Sequence, residues 1–236
     1  YTILTSYNPV AISSFLFQKM SYNISDLVPI SLAVTSPQIL VVHNDVPAND
    51  VAEFIALAKA KNGALNYASI SPGSASHLTM ELFKTRAGQI QMNHVPYKGA
   101  APAVNDLLGK TVDAGFFGAA NVVQHVKSGR LRALAVTGSK RLSSLPNVPT
   151  IVESGFPDFD ATIWIGFMAR AGTPTPIIEK FNREIVRILQ VPDVRSRLEA
   201  LDFTVVASSP EGFGDFIRAE IATWGSVAKQ ANVRLN

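Results

Sequence analysis

Two kinds of apolar spacing alternate along this chain. Compact runs such as Gln38 to Val42 (Gln-Ile-Leu-Val-Val) suit buried strands, while Val51, Phe54, Ile55 and Ala58 recur at helical spacing and stop at Asn62-Gly63, a helix C-cap. From there the pattern predicts strand Leu65–Ile70, helix Ser76–Ala87, strand Gln91–Val95, helix Pro102–Leu108, strand Val112–Phe117, helix Val122–Ser128 and strand Leu131–Thr137. Upstream, Tyr1–Thr5 reads as a strand closed by the turn Ser6-Tyr7-Asn8-Pro9. Ala11–Met20 follows as a short helix, and Ile30–Val34 is an extended run parted from Gln38–Val42 by Thr35-Ser36-Pro37. Downstream, a long turn-rich connection over Ser139–Asp160 leads to strand Ala161–Arg170. Three helices come next, Pro176–Gln190, Pro192–Leu201 and Pro210–Gln230, with the short run Thr204–Val206 before the last. A connection of that length is expected to pack over a cleft or to join two lobes.

The strand–helix alternation predicts an α/β architecture with a parallel sheet, helices on both faces, and ligands bound outside the carboxyl ends of the strands. Two loops after strands fall on that rim, Ser71–His77 and Phe117–Asn121. The first is the stretch of most chemical interest. Ser71, Ser74 and Ser76 offer hydroxyls around Gly73, and His77 stands in the first turn of a helix. Backbone N–H groups there lack intrahelical partners and the peptide dipoles favour an anion, so a carboxylate or phosphate suits the site. The same residues also describe a capped helix start, the commoner role of such clusters, with Ser74 or Ser76 as cap and Gly73 as the turn. Ser6 and Asn8 have the same two readings, ligand contact or turn former. Trp164 and Phe167 are placed to offer apolar walls to a carbon chain or to fill the core.

Composition narrows the function without choosing it. Of 236 residues, 47% are hydrophobic and 17% charged, which excludes a disordered chain, and the net charge of +3 is scattered rather than gathered into a stripe, which argues against a nucleic-acid partner. No apolar run reaches the roughly 18 residues of a membrane-spanning helix. There is no cysteine, which removes disulfides and thiolate chemistry. No G-x-S-x-G elbow, H-E-x-x-H, P-loop or G-x-G-x-x-G occurs, so no catalytic residue, metal or cofactor is implied, and the histidines fall at unrelated spacings. Tyr1-Thr2-Ile3-Leu4 begins in mid-pattern with neither an initiator Met nor a basic leader, and reads as a chain that lacks an N-terminal portion.

The segment His94-Val95-Pro96-Tyr97-Lys98-Gly99-Ala100-Ala101-Pro102, continuing to Asp113, resembles the Bug, or TctC, family of extracytoplasmic solute-binding proteins of tripartite tricarboxylate transporters. Leu65–Ser69 with Gly73–His77, Gly129–Thr137, Leu145–Thr150 and Ala169–Pro174 carry the likeness in the same order. The resemblance implies a two-lobed, type II periplasmic-binding (Venus flytrap) fold that closes on a small carboxylate and delivers it to membrane components of a transporter, without enzyme chemistry. Lobe one would comprise residues 1–40 and 165–236 and lobe two residues 41–164, and the family's first strand, Gly-rich loop and helix would precede Tyr1. Ligand contacts would come from Ser71, Gly73, Ser74, Ser76, His77, Gly118 and Ala119, with Ser6 and Asn8 from lobe one and Trp164 at the return crossover. Many members that bind amino acids place an Asp after the strand corresponding to Val112–Phe117. This chain reads Phe117-Gly118-Ala119-Ala120-Asn121 there, so a ligand without an amino group is expected, a di- or tricarboxylate or an aromatic acid. The implied location is the periplasm. An effector domain of a transcription regulator shares the fold and is the alternative, and it would need a helix-turn-helix module ahead of Tyr1.

Overall fold

In the computed structural model, which describes residues 1–16, 20, 22–230 and 233, the elements follow in chain order. They are β1 (Ile3–Tyr7), α1 (Pro9–Leu16), a single 3-10 turn (Ile24–Asp26), β2 (Leu27–Ser36), β3 (Gln38–His43), α2 (Val51–Lys61), β4 (Asn66–Ser69), α3 (Ala75–Arg86), β5 (Asn93–Pro96) and α4 (Ala100–Leu108). After these come β6 (Ala114–Gly118), α5 (Ala119–Lys127), β7 (Leu131–Val136), β8 (Ile163–Arg170), α6 (Thr175–Leu189), α7 (Pro192–Ala200), β9 (Thr204–Val205) and α8 (Pro210–Gln230). The helix expected over Ala11–Met20 starts earlier, at the pre-set φ of Pro9, and residues 17–19 lie outside the described ones. At the end of α2, Asn62 takes the left-handed conformation with φ of 42° and Gly63 follows at 89°, the stop that their sequence predicts.

The chain divides into two compact units, Tyr1–Ser36 with Ile163–Asn236, and Pro37–Thr162. The division falls at Ser36/Pro37 and Thr162/Ile163 rather than near residues 40 and 165, because all of β3 pairs within the second unit and all of β8 within the first.

The first unit holds an antiparallel sheet of order β1-β8-β2-β9. Along β8 the side chains alternate, so Trp164 and Met168 pack with Leu32, Phe213 and Ile217 on one face, while Phe167 and Ala169 pack with Ile30 and Ile178 on the other. Ile30 and Leu32 lie two residues apart and would share a face in a regular strand. The register shift between Pro29 and Ser31 turns them to opposite clusters.

The second unit holds a five-stranded sheet of order β5-β4-β6-β3-β7. The expected all-parallel sheet is corrected here: β4 is parallel to β5 and β6, but β3 runs antiparallel to both β6 and β7. Gln38, the first residue of β3, therefore lies opposite Gly118, the last of β6. The connection over Ser139–Asp160 is tied into this unit's core. Leu142 and Leu145 are buried with Val136, Thr150 forms a bridge to Val136, and Phe159 stacks on Phe116 at 6.5 Å. Apolar residues at Leu142, Leu145, Ile151 and Phe159 give this loop enough burial to hold it down.

Candidate functional site

Strands β4 and β6 are parallel neighbours, so both chains leave the sheet at the same edge and each enters a helix there. The amino ends of α3 and α5 consequently arise side by side on one rim of the second unit. At each the first-turn N–H groups lack intrahelical partners and the helix dipole has its positive end. The expected loop Phe117–Asn121 is absent: β6 ends at Gly118 and α5 begins at Ala119. Both residues are buried, and the Ala119 N–H is directed to the Pro37 carbonyl at 3.4 Å, whereas Ala120 and Asn121 are exposed.

The turn before α3 is tightly self-bonded. Ser74 is the N-cap, its Oγ accepting from the His77 N–H at 3.4 Å and donating to the Ser71 carbonyl at 2.7 Å. Ser76 Oγ accepts the Ile70 N–H at 3.0 Å and lies 3.0 Å from Ser74 Oγ. Gly73, at φ of +71°, donates its N–H to His77 Nδ1 at 3.0 Å. The Tyr97-Lys98-Gly99 turn after β5 is fastened to the same loop, with the Tyr97 and Gly99 N–H groups donating to Ser69 and Ile70 carbonyls at 2.9 and 2.8 Å. The Tyr97 hydroxyl donates to Asp106 at 2.6 Å, while Lys98 is exposed.

Thus the structure brings Ser71, Gly73, Ser74, Ser76 and His77 to one rim with Gly118 and Ala119. The expectation that all three serine hydroxyls face a ligand needs correction: Ser74 and Ser76 are 3% and 2% exposed and bond within the loop. Ser71 is half-buried and Pro72 exposed.

Ser6, Asn8 and Trp164 are corrected further, since each is enclosed in the interior of the first unit. Ser6 Oγ donates to the Gly166 carbonyl at 3.0 Å. Asn8 accepts the Trp164 backbone N–H at 3.2 Å, and the Trp164 indole N–H donates to Glu220 at 2.7 Å. Trp164, 1% exposed, meets Phe213 and Phe216 edge-on, so it lies in the core of the first unit. Its apolar area and its N–H are both satisfied inside the unit.

A further set of side chains surrounds the loop and was not legible as a group in the sequence. Tyr67 of β4 stands in register with His94 of β5, and their rings stack at 5.0 Å. His77 from α3 lies over His94 with ring centres 3.8 Å apart and planes 12° from parallel. Ser69 Oγ is 2.6 Å from His94 Nε2 and 3.1 Å from the Ser71 carbonyl. The Tyr67 hydroxyl donates to Glu81, which also receives Lys84 Nζ at 2.7 Å. Burial holds the His77 pKa down at about 3, with His94 and Lys84 adding to the effect, and burial also lowers that of His94. Burial followed by the Glu81 charge raises that of Tyr67. Both rings are therefore neutral at pH 7, and because His77 Nδ1 accepts the Gly73 N–H, its proton sits on Nε2. Only the period-2 spacing of Tyr67 and Ser69 hinted that they share a face, and the β4–β5 register that brings in His94 is a tertiary fact.

Ser69 and His94 are spaced as a hydroxyl–imidazole pair, but Ser69 is fully buried and presents no nucleophile to a substrate. Among the described residues no cluster of His, Asp and Glu is suited to hold a metal ion, and no helix is long and apolar enough to cross a membrane. A separate concavity of about 350 Å³ lies at the opposite end of the second unit's sheet, beside His43, Leu65 and Asp113. Its Lys110 is paired with Asp45, and Asp113 accepts the Asn66 N–H at 2.7 Å, so its charges are largely matched from within.

The chain is similar to known proteins over nearly its whole length. Residues 1–233 match the family described as tripartite tricarboxylate transporter family receptor. Protein BugT of Bordetella pertussis is 37% identical over 238 residues, covering 100% of this chain and 73% of that protein. Among solved structures, the periplasmic binding protein BugD superposes with a TM-score of 0.90 at 32% identity, covering 99% of this chain and 79% of that one. Rpa4515 of R. palustris with adipate gives 0.91 at 31% identity, covering 98% and 78%. MatC of Rhodopseudomonas palustris with bound malate gives 0.85 at 28% identity, covering 96% and 78%. These likenesses extend over both units and identify the architecture as the α/β type II periplasmic-binding fold. The chain belongs to the Bug/TctC family of tripartite tricarboxylate transporter receptors.

Proposed function

We propose that this protein binds a small carboxylate that has no amino group, in the periplasm, and hands it to the membrane components of a tripartite transporter without chemical change. The observation that carries the reading is the pair of adjacent helix starts, α3 and α5, on one rim of the second unit's sheet. First-turn N–H groups of both helices can donate to one carboxylate, and Ser71, Gly73, Ser74, Ser76 and His77 supply and shape that surface, with Gly118 and Ala119 bringing α5 up to it. No acidic side chain stands at Gly118-Ala119-Ala120-Asn121 to pair with an ammonium. The adipate and malate of the related structures are likewise carboxylates without an amino group. Ser6, Asn8 and Trp164 act in this reading as the frame of the first unit and not as contacts.

A few charge-assisted hydrogen bonds suffice for about micromolar affinity, roughly −8 kcal/mol. A thermal-shift panel of adipate, malate, citrate, benzoate, aspartate and glutamate tests the assignment. Ligand at about a hundred times its dissociation constant stabilises the native state by roughly 2.7 kcal/mol, a rise of about 5–10 °C in a chain of this size. No rise with any carboxylate refutes carboxylate capture, and a larger rise with aspartate than with malate refutes the missing-ammonium argument.

A further inference from the structure

We propose that His77 is a positioning residue for carboxylate capture, fixing the backbone of Ser71–Ser76 through Nδ1 from within the Tyr67–His94–His77 stack and not touching the ligand itself. The inference rests on the carboxylate reading above and deepens it. A loop that receives an anion must turn N–H groups outward and keep carbonyl oxygens inward, since a carbonyl facing a carboxylate repels it. The structure does this at Ser71, whose carbonyl is turned to three donors: Ser69 Oγ at 3.1 Å, Ser74 Oγ at 2.7 Å and the Ser74 N–H at 3.2 Å. At Gly73 the N–H points the other way, inward to His77 Nδ1 at 3.0 Å, and the left-handed φ of +71° permits it.

His77 can hold that bond in one place because its ring is itself held. It is 6% exposed and lies flat on His94 at 3.8 Å, and His94 is flanked by Tyr67 at 5.0 Å and held at Nε2 by Ser69 Oγ. Ser69 closes the circuit by reaching the Ser71 carbonyl, so two routes run from the stack to the loop, one to Gly73 and one to Ser71. Charged groups facing the stack are Glu81 and Lys84 on α3, which pair with each other. An unprotonated Nδ1 is required throughout, so the ring contributes an acceptor and a flat surface, and no charge.

Two substitutions separate the acceptor from the ring. His77→Asn places an amide oxygen near the position of Nδ1 and removes the stack, whereas His77→Phe keeps a stacked ring and removes the acceptor. Each is measured by adipate and malate titration and by hydrogen exchange of the Gly73 amide in ligand-free protein, with folding checked by circular dichroism. If Phe is not accommodated beside His94, the smaller His77→Leu removes the same acceptor. We expect His77→Phe to weaken binding about 5- to 10-fold and to speed Gly73 exchange, and His77→Asn to stay within about 2-fold of the parent in both. Unchanged binding and exchange in a folded His77→Phe protein overturns the proposal. So does equal loss of binding in both variants with Gly73 protection kept in His77→Asn, which would make the imidazole a direct ligand contact. If the parent protein binds no carboxylate of the panel, the carboxylate reading fails on its own, and Gly73 exchange still decides whether His77 positions the loop.

Discussion

Gly166 lies in the middle of β8, where the structure makes a demand that strand propensity would reverse. A methyl group built there would sit 2.3 Å from Phe213 Cζ and 2.6 Å from Cε1, about 1 Å inside the roughly 3.5 Å of ordinary carbon contact. The backbone cannot retreat, because Gly166 is paired to Ser6 of β1 on one side and to Leu32 of β2 on the other. Phe213 is fully buried and meets the Trp164 ring edge-on at 5.6 Å, so its ring can move only by displacing the cluster. Overpacking of this kind costs about 2–3 kcal/mol, whereas alanine for glycine in an open strand would gain about 0.5–1 kcal/mol. Gly166→Ala is therefore expected to lower the melting temperature by about 5–10 °C. Both tryptophans, Trp164 and Trp224, lie in the first unit, so tryptophan emission during thermal or urea unfolding reports on that unit. In a Phe213→Leu background the methyl occupies space that the ring has vacated, and the added cost should fall below about 1 kcal/mol. An unchanged or raised melting temperature in Gly166→Ala, or the same loss in both backgrounds, would refute the steric argument.

The remaining predictions concern the loop. Depressed histidine pKa values mean that the unfolded chain binds more protons than the native one below the ordinary histidine value of about 6.5, so stability should fall on acidification from there. His77 alone accounts for about 2 kcal/mol between pH 6.5 and 5, with His94 acting in the same direction and the raised carboxyl of Asp160 opposing it; urea titrations at each pH in the parent and in His77→Asn should show the slope flattened in the variant. Ser74→Ala removes the N-cap of α3 and should cost about 1 kcal/mol, visible as a ligand-free melting temperature about 2–4 °C lower. An unshifted melt for Ser74→Ala would contradict the capping role.

Local signals were sufficient for most elements. The helix expected over Pro210–Gln230 is α8 at both ends, and α2 stops where Asn62-Gly63 says it should. These boundaries depend on spacing, caps and turn residues a few positions apart, and so are written in the chain itself. The turn at Ser71–His77 was legible in the same way as a helix start after a strand. The direction of β3 was not, because a compact β-branched run pairs equally well either way. The burial of Ser6, Asn8 and Trp164 was not legible either, since turn residues and a lone tryptophan serve surface and core alike until their partners, Gly166 and Glu220, are in place.

By itself the sequence determined the order of strands and helices, the family, and the polar turn that opens α3. The tertiary structure alone decided that Ser74 and Ser76 bond within the loop and that His77, His94 and Tyr67 form one stack. The physical reason is that His94 reaches the loop only through the register of β4 with β5, a long-range pairing that no local spacing encodes.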